Sequence, residues 1–347
     1  MTSDLLPVWL QPWLQPWLQP WLQLWLAPLL SLLVSAGVLA WLLGPGRHRL
    51  PLDRPNERSL HRDPVPRSGG IAVIGGVLVA CLPGWPASAV IAGCVLLLAA
   101  LSFADDWRGL PIGLRFGVHA LAAIVFVALL LPPLSLFWQA VTAFLIVWSI
   151  NLYNFMDGSD GLAGGMAAIG FSAYAAGFAL SGEFAAAGFA LAIAIAALVF
   201  LRANFPPARI FLGDVGSIPL GFLAGSLGAA GIFAGHWPAW FPFVVFAPFF
   251  VDATFTLLRR MLRGERFWRA HRAHFYQRLV QSGWGHRRTA LAEYALMAGS
   301  AAVALATLLL PAAGSALLLA TWAIIGVSAM VRVDRACRQA VAAAPEK

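Results

Sequence analysis

A polar stretch in the middle of the chain concentrates side chains that could bind a cation. Residues 151–165 read Asn-Leu-Tyr-Asn-Phe-Met-Asp-Gly-Ser-Asp-Gly-Leu-Ala-Gly-Gly and contain no lysine or arginine. Asp157 and Asp160 are each followed by a glycine, so the backbone can turn tightly and direct both carboxylates into one small volume. Asn151 and Asn154 add amide groups to the same stretch. Acids placed between two apolar runs without a basic partner predict a bound cation.

A second acidic motif closes an earlier apolar run. Asp105 and Asp106 are adjacent, and neighbouring residues of a helix diverge by about 100°. Both can therefore face one point only where the helix ends, which Gly109 and Pro111 predict. A solvated surface pair is the alternative. It is disfavoured because acids at the end of a membrane span are costly unless they are paired or bind a metal.

The third motif places an aspartate directly before an apolar run. Asp214 lies in Phe-Leu-Gly-Asp-Val-Gly-Ser, where Gly213 and Gly216 let backbone amides and a carboxylate line one pocket and Ser217 can cap the following helix. A helix N-terminus favours phosphate, and a carboxylate beside it can hold Mg²⁺ against that phosphate. A capped turn with a solvated aspartate is an equal alternative.

The last polar loop combines histidines with arginines. This combination suits phosphate oxygens better than zinc, and the spacing of His271 and His274 places them one helical turn apart, where they could contact one ligand. The alternative is that the arginines of this loop bind anionic lipid at the membrane surface. Asp252 lies inside the preceding apolar run and is a candidate site residue, with an ion pair to Arg259 as the alternative.

The composition identifies the class of protein that must position these motifs. Of 347 residues, 60% are hydrophobic and 11% are charged, and the mean hydropathy is +0.79. These values exclude an ordinary soluble domain and predict an all-α polytopic membrane protein. The net charge of +8 is assigned to loops that face anionic lipid and anionic substrate, not to nucleic-acid binding.

Apolar runs of membrane-spanning length predict a bundle of about eleven transmembrane helices. The runs are 24–43, 69–85, 87–104, 112–131, 134–150, 161–180, 183–201, 216–235, 238–258, 289–309 and 312–331. Residues 24–347 are thus predicted to form one membrane domain. Residues 1–23 are a Pro-Trp-Leu-Gln repeat extension, in which a proline at every fourth residue is expected to forbid a regular helix.

The basic residues predict the orientation of this bundle. All 23 lysines and arginines fall into alternating connections or the C-terminal tail, namely 44–68, 105–115, 202–214, 259–288 and the residues after 331. Cytoplasmic loops carry such an excess, so the N-terminus is predicted to be periplasmic and the C-terminus cytoplasmic. The polar motifs then share the cytoplasmic face. Carboxylates, glycine turns and arginines together indicate Mg²⁺-dependent chemistry on phosphates.

The ordered motifs resemble those of the polyprenyl-phosphate N-acetylhexosamine-1-phosphate transferases, glycosyltransferase family 4. The resemblance covers about residues 25–331 and includes the loop at 53–70, with its Arg-Ser-x-His and Pro-x-Pro-Arg-x-Gly-Gly. It implies transfer of a sugar-1-phosphate from a UDP-sugar to undecaprenyl phosphate, with release of UMP. It further implies Mg²⁺, with Mn²⁺ as a substitute, and a multi-pass protein of the bacterial inner membrane, with a homodimer as one assembly.

The resemblance also implies roles for individual residues. Asp214 matches the metal-binding position, and Asp105 and Asp106 match an acidic pair that acts as base or nucleophile. Phe211 resembles an aromatic residue that packs on uracil, and His271 and His274 match a loop near the sugar or diphosphate. The remaining predicted substrate-binding residues are Asn151, Asn154, Asp157, Asp160, Asn204, Arg108 and Asp252.

Two departures from the family pattern bear on the substrate. The cell-wall branch has consecutive histidines where Arg272 and Ala273 intervene here, and its lysine after the acidic pair is replaced by Arg108. They favour an enzyme that starts O-antigen or another surface polysaccharide with N-acetylglucosamine, N-acetylfucosamine or N-acetylquinovosamine. The alternatives are a phospho-N-acetylmuramoyl-pentapeptide transferase and, from a different class, an ion-coupled transporter.

Overall fold

The computed structural model describes residues 11–47, 52–53, 65–83, 87–265 and 271–342, and this part of the chain is mostly α-helical. The helices are α1 (Gln11–Leu43), α2 (Gly70–Ala80), α3 (Ser88–Arg108), α4 (Ile112–Leu130), α5 (Leu136–Phe155), α6 (Leu162–Leu180), α7 (Phe184–Asn204), α8 (Asp214–Phe233), α9 (Trp240–Val245), α10 (Ala247–Leu262), α11 (Phe275–Leu279), α12 (Gly285–Thr307) and α13 (Ala312–Ala342). A π-helical turn, Val280–Trp284, joins α11 to α12. Two short antiparallel strands, β1 (Leu52–Asp53) and β2 (Val65–Pro66), precede α2.

An all-α polytopic membrane bundle is confirmed, although its helices differ from the eleven predicted. Within the described ranges, nine helices are long and apolar enough to cross a bilayer. The second predicted run forms only the short α2, and the ninth is divided into α9 and α10 at Phe246. Pro248, the second residue of α10, has no N–H to continue the hydrogen bonds of α9, which is a physical reason for the interruption.

The expectation that the N-terminal repeat cannot be helical is wrong for its described part. α1 begins at Gln11 and continues through Pro12, Pro16 and Pro20. Proline at Pro12 costs little, because the N–H groups of a first turn have no partner inside the helix. The later prolines are spaced by four residues, so the backbone hydrogen bonds that they remove lie along one side of the helix. The three residues between successive prolines keep their backbone N–H groups for hydrogen bonding.

One end of the bundle collects the polar connections. We call this end the basic face; it carries the connections α3–α4, α5–α6 and α7–α8 and the segment from α10 to α12, and contacts between these connections join them. The opposite end includes Glu183 and His236. α6, α7 and α8 form the buried centre of the bundle, whereas α13 lies at its edge.

Close backbone contact sets where α2 and α8 begin. A Cβ on Gly70 would clash with the backbone of Gly216, so the two helices approach there at a distance that only glycine permits. Strand-like hydrogen bonds continue this contact: the N–H of Gly69 donates to the carbonyl of Phe211 (2.8 Å), and that of Gly70 to the carbonyl of Leu212 (2.9 Å). The residues preceding α2 are thereby held beside the N-terminus of α8.

Candidate active site

The paired aspartates of α3 lie where that helix ends, as predicted. Gly109 closes α3 in the left-handed conformation. Oδ2 of Asp105 lies 2.9 Å from Nη1 of Arg115 in the first turn of α4, and Oδ1 accepts a hydrogen bond of 2.7 Å from the N–H of Leu110. Oδ1 of Asp106 lies 3.1 Å from Nη2 of Arg67. Each acid is therefore held by a different arginine.

Asp214 joins both of these ion pairs from the start of α8. Its Oδ2 lies 3.5 Å from Nη2 of Arg115, and its Oδ1 lies 3.9 Å from Nη2 of Arg67. Asn154 donates from Nδ2 to Oδ1 of Asp214 (3.0 Å) and to Oγ of Ser217 (2.9 Å). Ser217 lies inside α8, whose N-cap is Gly213, so the predicted serine cap is wrong. Ser217 instead binds the amide that holds Asp214.

Arg67 reaches this cluster because its backbone is fixed against the α7–α8 loop. The N–H of Phe211 donates to the carbonyl of Pro66 (2.7 Å). Gly213 has a φ of +70°, and a Cβ there would clash with the carbonyl of Arg67. Only glycine satisfies both conditions at this position. The glycine of the Phe-Leu-Gly-Asp motif thus brings an arginine and an aspartate from distant segments together.

The charges of this cluster favour a divalent cation with a phosphate ligand. Four carboxylates (Asp105, Asp106, Asp157 and Asp214) face two guanidiniums (Arg67 and Arg115), a formal charge of −2. Among the described residues, no three or more His, Cys, Asp or Glu side chains converge as a metal cage. Mg²⁺ typically binds one or two carboxylates together with substrate phosphates and water, so the residues present fit this ion.

The structure separates the two aspartates of the α5–α6 connection. Asp157 faces the cluster, where burial and the charge of Asp214 raise its pKa well above the ordinary value, against Arg67 and a hydrogen bond with the backbone of Gly213. Its carboxylate is therefore a costly charge when no cation is present.

Asp160 faces other partners, so the expectation that both carboxylates enter one small volume is wrong. Its Oδ2 accepts a hydrogen bond of 3.0 Å from the N–H of Ala208, and its Oδ1 lies 3.5 Å from Nδ1 of His286. The same histidine nitrogen lies 2.9 Å from Oγ of Ser159. Asp160 therefore joins the α5–α6 connection to the α7–α8 loop and to α12.

Two predicted substrate-binding asparagines make contacts within the protein. The buried Asn204 accepts from the N–H of Gly161 (2.9 Å) and donates to the carbonyl of Ile210 (2.9 Å), so it joins two loops of the basic face. Nδ2 of Asn151 donates 2.7 Å to the carbonyl of Val147, one turn back in α5. Their predicted contact with substrate remains a prediction.

Phe211 precedes Asp214 by three residues, and Arg108 follows Asp106 by two. Phe211 is half-buried and its backbone pairs with the segment before α2. Arg108 is exposed at the end of α3. The arginines that contact Asp105, Asp106 and Asp214 are instead Arg67 and Arg115.

The histidine loop packs on the α5–α6 connection by a different geometry from the one predicted. His271 and His274 precede α11 and are not on a helix, yet their ring centroids are 4.9 Å apart. The ring of His274 stacks on that of Phe155, and the hydroxyl of Tyr276 donates 3.1 Å to the Phe155 carbonyl. The loop therefore closes one side of the site.

Asp252 positions this loop from inside α10. Its buried carboxylate accepts from the N–H groups of Phe275 (3.0 Å) and Tyr276 (3.2 Å) and lies 3.2 Å from Nδ1 of His274. The alternative ion pair with Arg259 is wrong, because that arginine lies 2.9 Å from Asp334.

His271 is a neutral imidazole at neutral pH. Burial, the neighbouring His274 and the charge of Arg260 lower its pKa to about 4. It can therefore accept or donate a hydrogen bond through its ring without adding charge to the loop.

Sequence reasoning missed four residues that shape the site: Arg67, Arg115, Tyr276 and His286. The clearest available signal was Arg115, a charged residue at the start of a long apolar run, since intramembrane charges are usually functional. Arg67 belongs to the Pro-x-Pro-Arg motif, whereas the Arg-Ser-x-His motif of the same loop, with Arg58, Ser59 and His61, lies outside the described residues.

Comparison with known proteins identifies the family of this chain. The profile of Glycosyl transferase family 4 matches residues 88–232. This range includes Asp105 and Asp106, the stretch 151–165 and Asp214. A Bacillus subtilis (strain 168) protein, described as a probable undecaprenyl-phosphate N-acetylglucosaminyl 1-phosphate transferase, is 30% identical over 70% of this chain and 73% of its own length. The chain belongs to glycosyltransferase family 4.

Other members of the family align over a similar extent. The decaprenyl-phosphate N-acetylglucosaminephosphotransferase of Mycolicibacterium smegmatis is 30% identical, over 69% of this chain and 71% of that protein. The phospho-N-acetylmuramoyl-pentapeptide-transferase of Rippkaea orientalis is 28% identical, over 78% of this chain and 84% of that protein. This family 4 member is thus one of the polyprenyl-phosphate hexosamine-1-phosphate transferases, and an enzyme that transfers a phosphosugar.

Proposed function

We propose that the protein transfers an N-acetylhexosamine-1-phosphate from a UDP-sugar to undecaprenyl phosphate and releases UMP. The observation that carries this proposal is the cluster in which Arg67 and Arg115 connect Asp214 of α8 to Asp106 and Asp105 of α3. A phosphoryl transfer between two anionic substrates needs fixed positive charge beside acids that can accept a proton or hold a metal ion. Both kinds of group meet here, at the end of a membrane bundle.

The reaction requires access from both the membrane and the aqueous phase. The acceptor phosphate is attached to a lipid, whereas the nucleotide donor is soluble. The basic face carries the lysine and arginine excess of the connections, which supports its assignment to the cytoplasm of a bacterial inner membrane. Its position at the ends of the apolar helices places the cluster where a lipid phosphate and a soluble nucleotide can meet.

We assign direct displacement as the reaction. An oxygen of the lipid phosphate attacks the sugar-bearing phosphorus of the donor, and the bond from that phosphorus to UMP breaks. Arg67 and Arg115 donate hydrogen bonds to phosphate oxygens, and Asp105 or Asp106 orients the attacking phosphate and accepts its proton if it carries one. Asp214 would hold Mg²⁺, which would supply positive charge to offset that of the diphosphate and of the leaving UMP.

The structure separates the surroundings of the two candidate bases. Both oxygens of Asp105 are engaged, one by Arg115 and one by the N–H of Leu110, whereas Asp106 is contacted through Oδ1 by Arg67. A carboxylate oxygen that already accepts a hydrogen bond is less available to accept a proton from the substrate. This supports Asp105 as the residue that orients the phosphate and Asp106 as the proton acceptor.

The proposed sugar is N-acetylglucosamine or a deoxy relative. Support comes from the Asn-Leu-Tyr-Asn-Phe-Met-Asp-Gly stretch, from the separated histidines and from relatives whose names specify N-acetylglucosamine. The product would start O-antigen lipopolysaccharide or another surface polysaccharide. Transfer of phospho-N-acetylmuramoyl-pentapeptide is the second candidate, supported by the alignment with transferases of that name.

A donor panel tests the reaction and the sugar together. Purified protein is incubated with undecaprenyl phosphate, Mg²⁺ and one radiolabelled UDP-sugar at a time: N-acetylglucosamine, N-acetylfucosamine, N-acetylquinovosamine or N-acetylmuramoyl-pentapeptide. Organic-extractable label with equimolar UMP from one of the first three supports the proposal. Product from the pentapeptide donor alone would replace the sugar assignment, and no product from any donor would overturn the transferase proposal.

A covalent route through Asp105 or Asp106 is the rival within the same reaction. In a rapid-quench experiment with donor labelled at the β-phosphorus and without lipid acceptor, direct displacement leaves the protein unlabelled. Acid-stable label on the protein would instead show a phospho-aspartate intermediate.

A further inference from the structure

A groove on the basic face lies outside the acidic cluster, between α10, α11 and α13. It encloses about 640 Å³. Its wall is apolar and consists of Phe255, Leu258, Leu262, Phe275, Met330 and Val331. Leu262 is 78% exposed and Val331 is 42% exposed. The groove therefore presents an apolar wall to its surroundings.

The rim of the groove carries an excess of positive charge. Oδ1 of Asp334 lies 2.9 Å from Nη1 of Arg259 and 2.7 Å from Nη1 of Arg278. Arg263 and Arg335 line the same groove. Three arginines and one carboxylate therefore line the rim, and with Arg278, which pairs with that carboxylate, its formal charge is +3.

The charged rim and the apolar wall lie at successive depths of the membrane boundary. α10 changes from apolar to basic at Arg259, and α13 changes from apolar to basic at Arg332. Arginines at such a boundary extend towards the phosphate level, while the preceding apolar turns remain in hydrocarbon. The wall therefore faces acyl chains, and the rim faces lipid headgroups.

We propose that this groove binds one anionic glycerophospholipid, with its phosphate on the arginines of the rim and an acyl chain along the wall. A soluble anion would leave the apolar wall uncovered, and a zwitterionic lipid would leave the net charge of the rim in place. The charge of an anionic headgroup and the hydrocarbon attached to it match both parts.

The groove is distinct from the place where the acceptor must react. The attacking phosphate has to reach the acids at the ends of α3 and α8, whereas the groove is formed by α10, α11 and α13, and α13 packs mainly on α11 and α12. The arginines of the rim are thus assigned to lipid, whereas His274 of the same loop contacts Asp252 and packs towards the acidic cluster through Phe155.

Native mass spectrometry of the full chain tests this proposal. The protein is released from nanodiscs of phosphatidylcholine that contain phosphatidylglycerol, and the retained lipids are identified and titrated. The double variant Arg263→Gln/Arg335→Gln removes two rim arginines, and Arg332→Gln on the same helix is the matched control. All three positions are exposed, so the variants keep the fold, which thermal melting in detergent verifies.

The expected result is one phosphatidylglycerol retained by the wild type and by the control. The double variant should bind it about 30-fold more weakly, as expected for loss of two arginines near anionic lipid. Equal retention by the double variant would overturn the proposal, as would equal retention of phosphatidylcholine. Displacement of phosphatidylglycerol by one equivalent of undecaprenyl phosphate would show that the groove holds the acceptor, and would also overturn it.

Discussion

Replacing Arg115 tests whether the two acidic motifs work as one unit. Its two terminal nitrogens contact different carboxylates, Nη1 at 2.9 Å from Asp105 and Nη2 at 3.5 Å from Asp214. Arg115→Gln removes both contacts and changes the formal charge of the cluster from −2 to −3. Arg115→Lys keeps the charge, but a single ammonium group cannot span both acids in the same way.

The size of the effect follows from these contacts. A hydrogen bond to a charged group contributes about 1.5–3 kcal/mol, so two contacts would amount to about 3–6 kcal/mol. The Arg115 side chain is 30% exposed, and solvent screening reduces this to about 2 kcal/mol. Arg115 is proposed to give hydrogen bonds of this strength to phosphate oxygens in the transition state, so their loss corresponds to a decrease of about 30-fold in kcat for Arg115→Gln, and of about fivefold for Arg115→Lys.

The assay is steady-state formation of lipid-linked sugar at several Mg²⁺ concentrations. Because Arg115→Gln leaves the acids more negative, it should lower the Mg²⁺ concentration that gives half-maximal rate while it lowers kcat. Arg115→Lys should leave that concentration unchanged. A kcat for Arg115→Gln within threefold of the wild type, or an unchanged Mg²⁺ dependence, would refute the linked cluster.

Three further substitutions test individual contacts. Asp157→Asn should raise Tm by more at about pH 8 than at about pH 4. The pKa of Asp157 is raised in the folded protein, so the wild type loses stability as the pH rises through that pKa, and asparagine does not. An equal change of Tm at the two pH values would contradict this. Gly158→Ala should lower activity, because a Cβ there would displace the hydroxyl of Tyr276. The control Gly117→Ala places its Cβ in open space and should keep the wild-type activity. Equal activities of the two variants would refute the importance of this contact. Asn204→Ala should reduce the free energy of unfolding by about 2–3 kcal/mol, measured by chemical denaturation in detergent, because it leaves two buried backbone groups unpaired; a raised KM with unchanged stability would show a substrate contact instead.

The apolar runs predicted most of the bundle, and the differences have local causes. The run at 134–150 corresponds to α5, which begins at Leu136 and continues five residues beyond the run to Phe155. Asn151 continues the helix beyond the apolar residues, and its amide donates a hydrogen bond to the carbonyl of Val147 one turn back. Such a side-chain bond depends on rotamer and neighbours, which hydropathy does not encode.

The acids of the site could be predicted from sequence, and their arginine partners could not. Asp105, Asp106 and Asp214 were evident because carboxylates at the ends of apolar runs are rare and costly. Arg67 and Arg115 contact them only after α2, α3, α4 and α8 have packed, and no local pattern reports which helices meet. The close approach of Gly70 and Gly216 decides this meeting.

The histidine loop shows the same limit. A spacing of three residues suggested one helical turn between His271 and His274. Asp252, from another helix, accepts the first N–H groups of α11 and so makes that helix begin at Phe275. A carboxylate from a distant segment thus determined where the helix starts.

The fate of the donor's two phosphates tests the central claim most directly. Two preparations of UDP-N-acetylglucosamine are used, one with radiophosphorus at the β position and one with it at the α position, each with undecaprenyl phosphate and the purified protein. Sugar-1-phosphate transfer predicts that β label enters the organic phase while α label remains in water as UMP. It also predicts that Asp214→Asn abolishes this transfer, whereas Glu183→Gln at the opposite end of the bundle retains it. Release of both labels as UDP, or undiminished transfer by Asp214→Asn, would contradict the account.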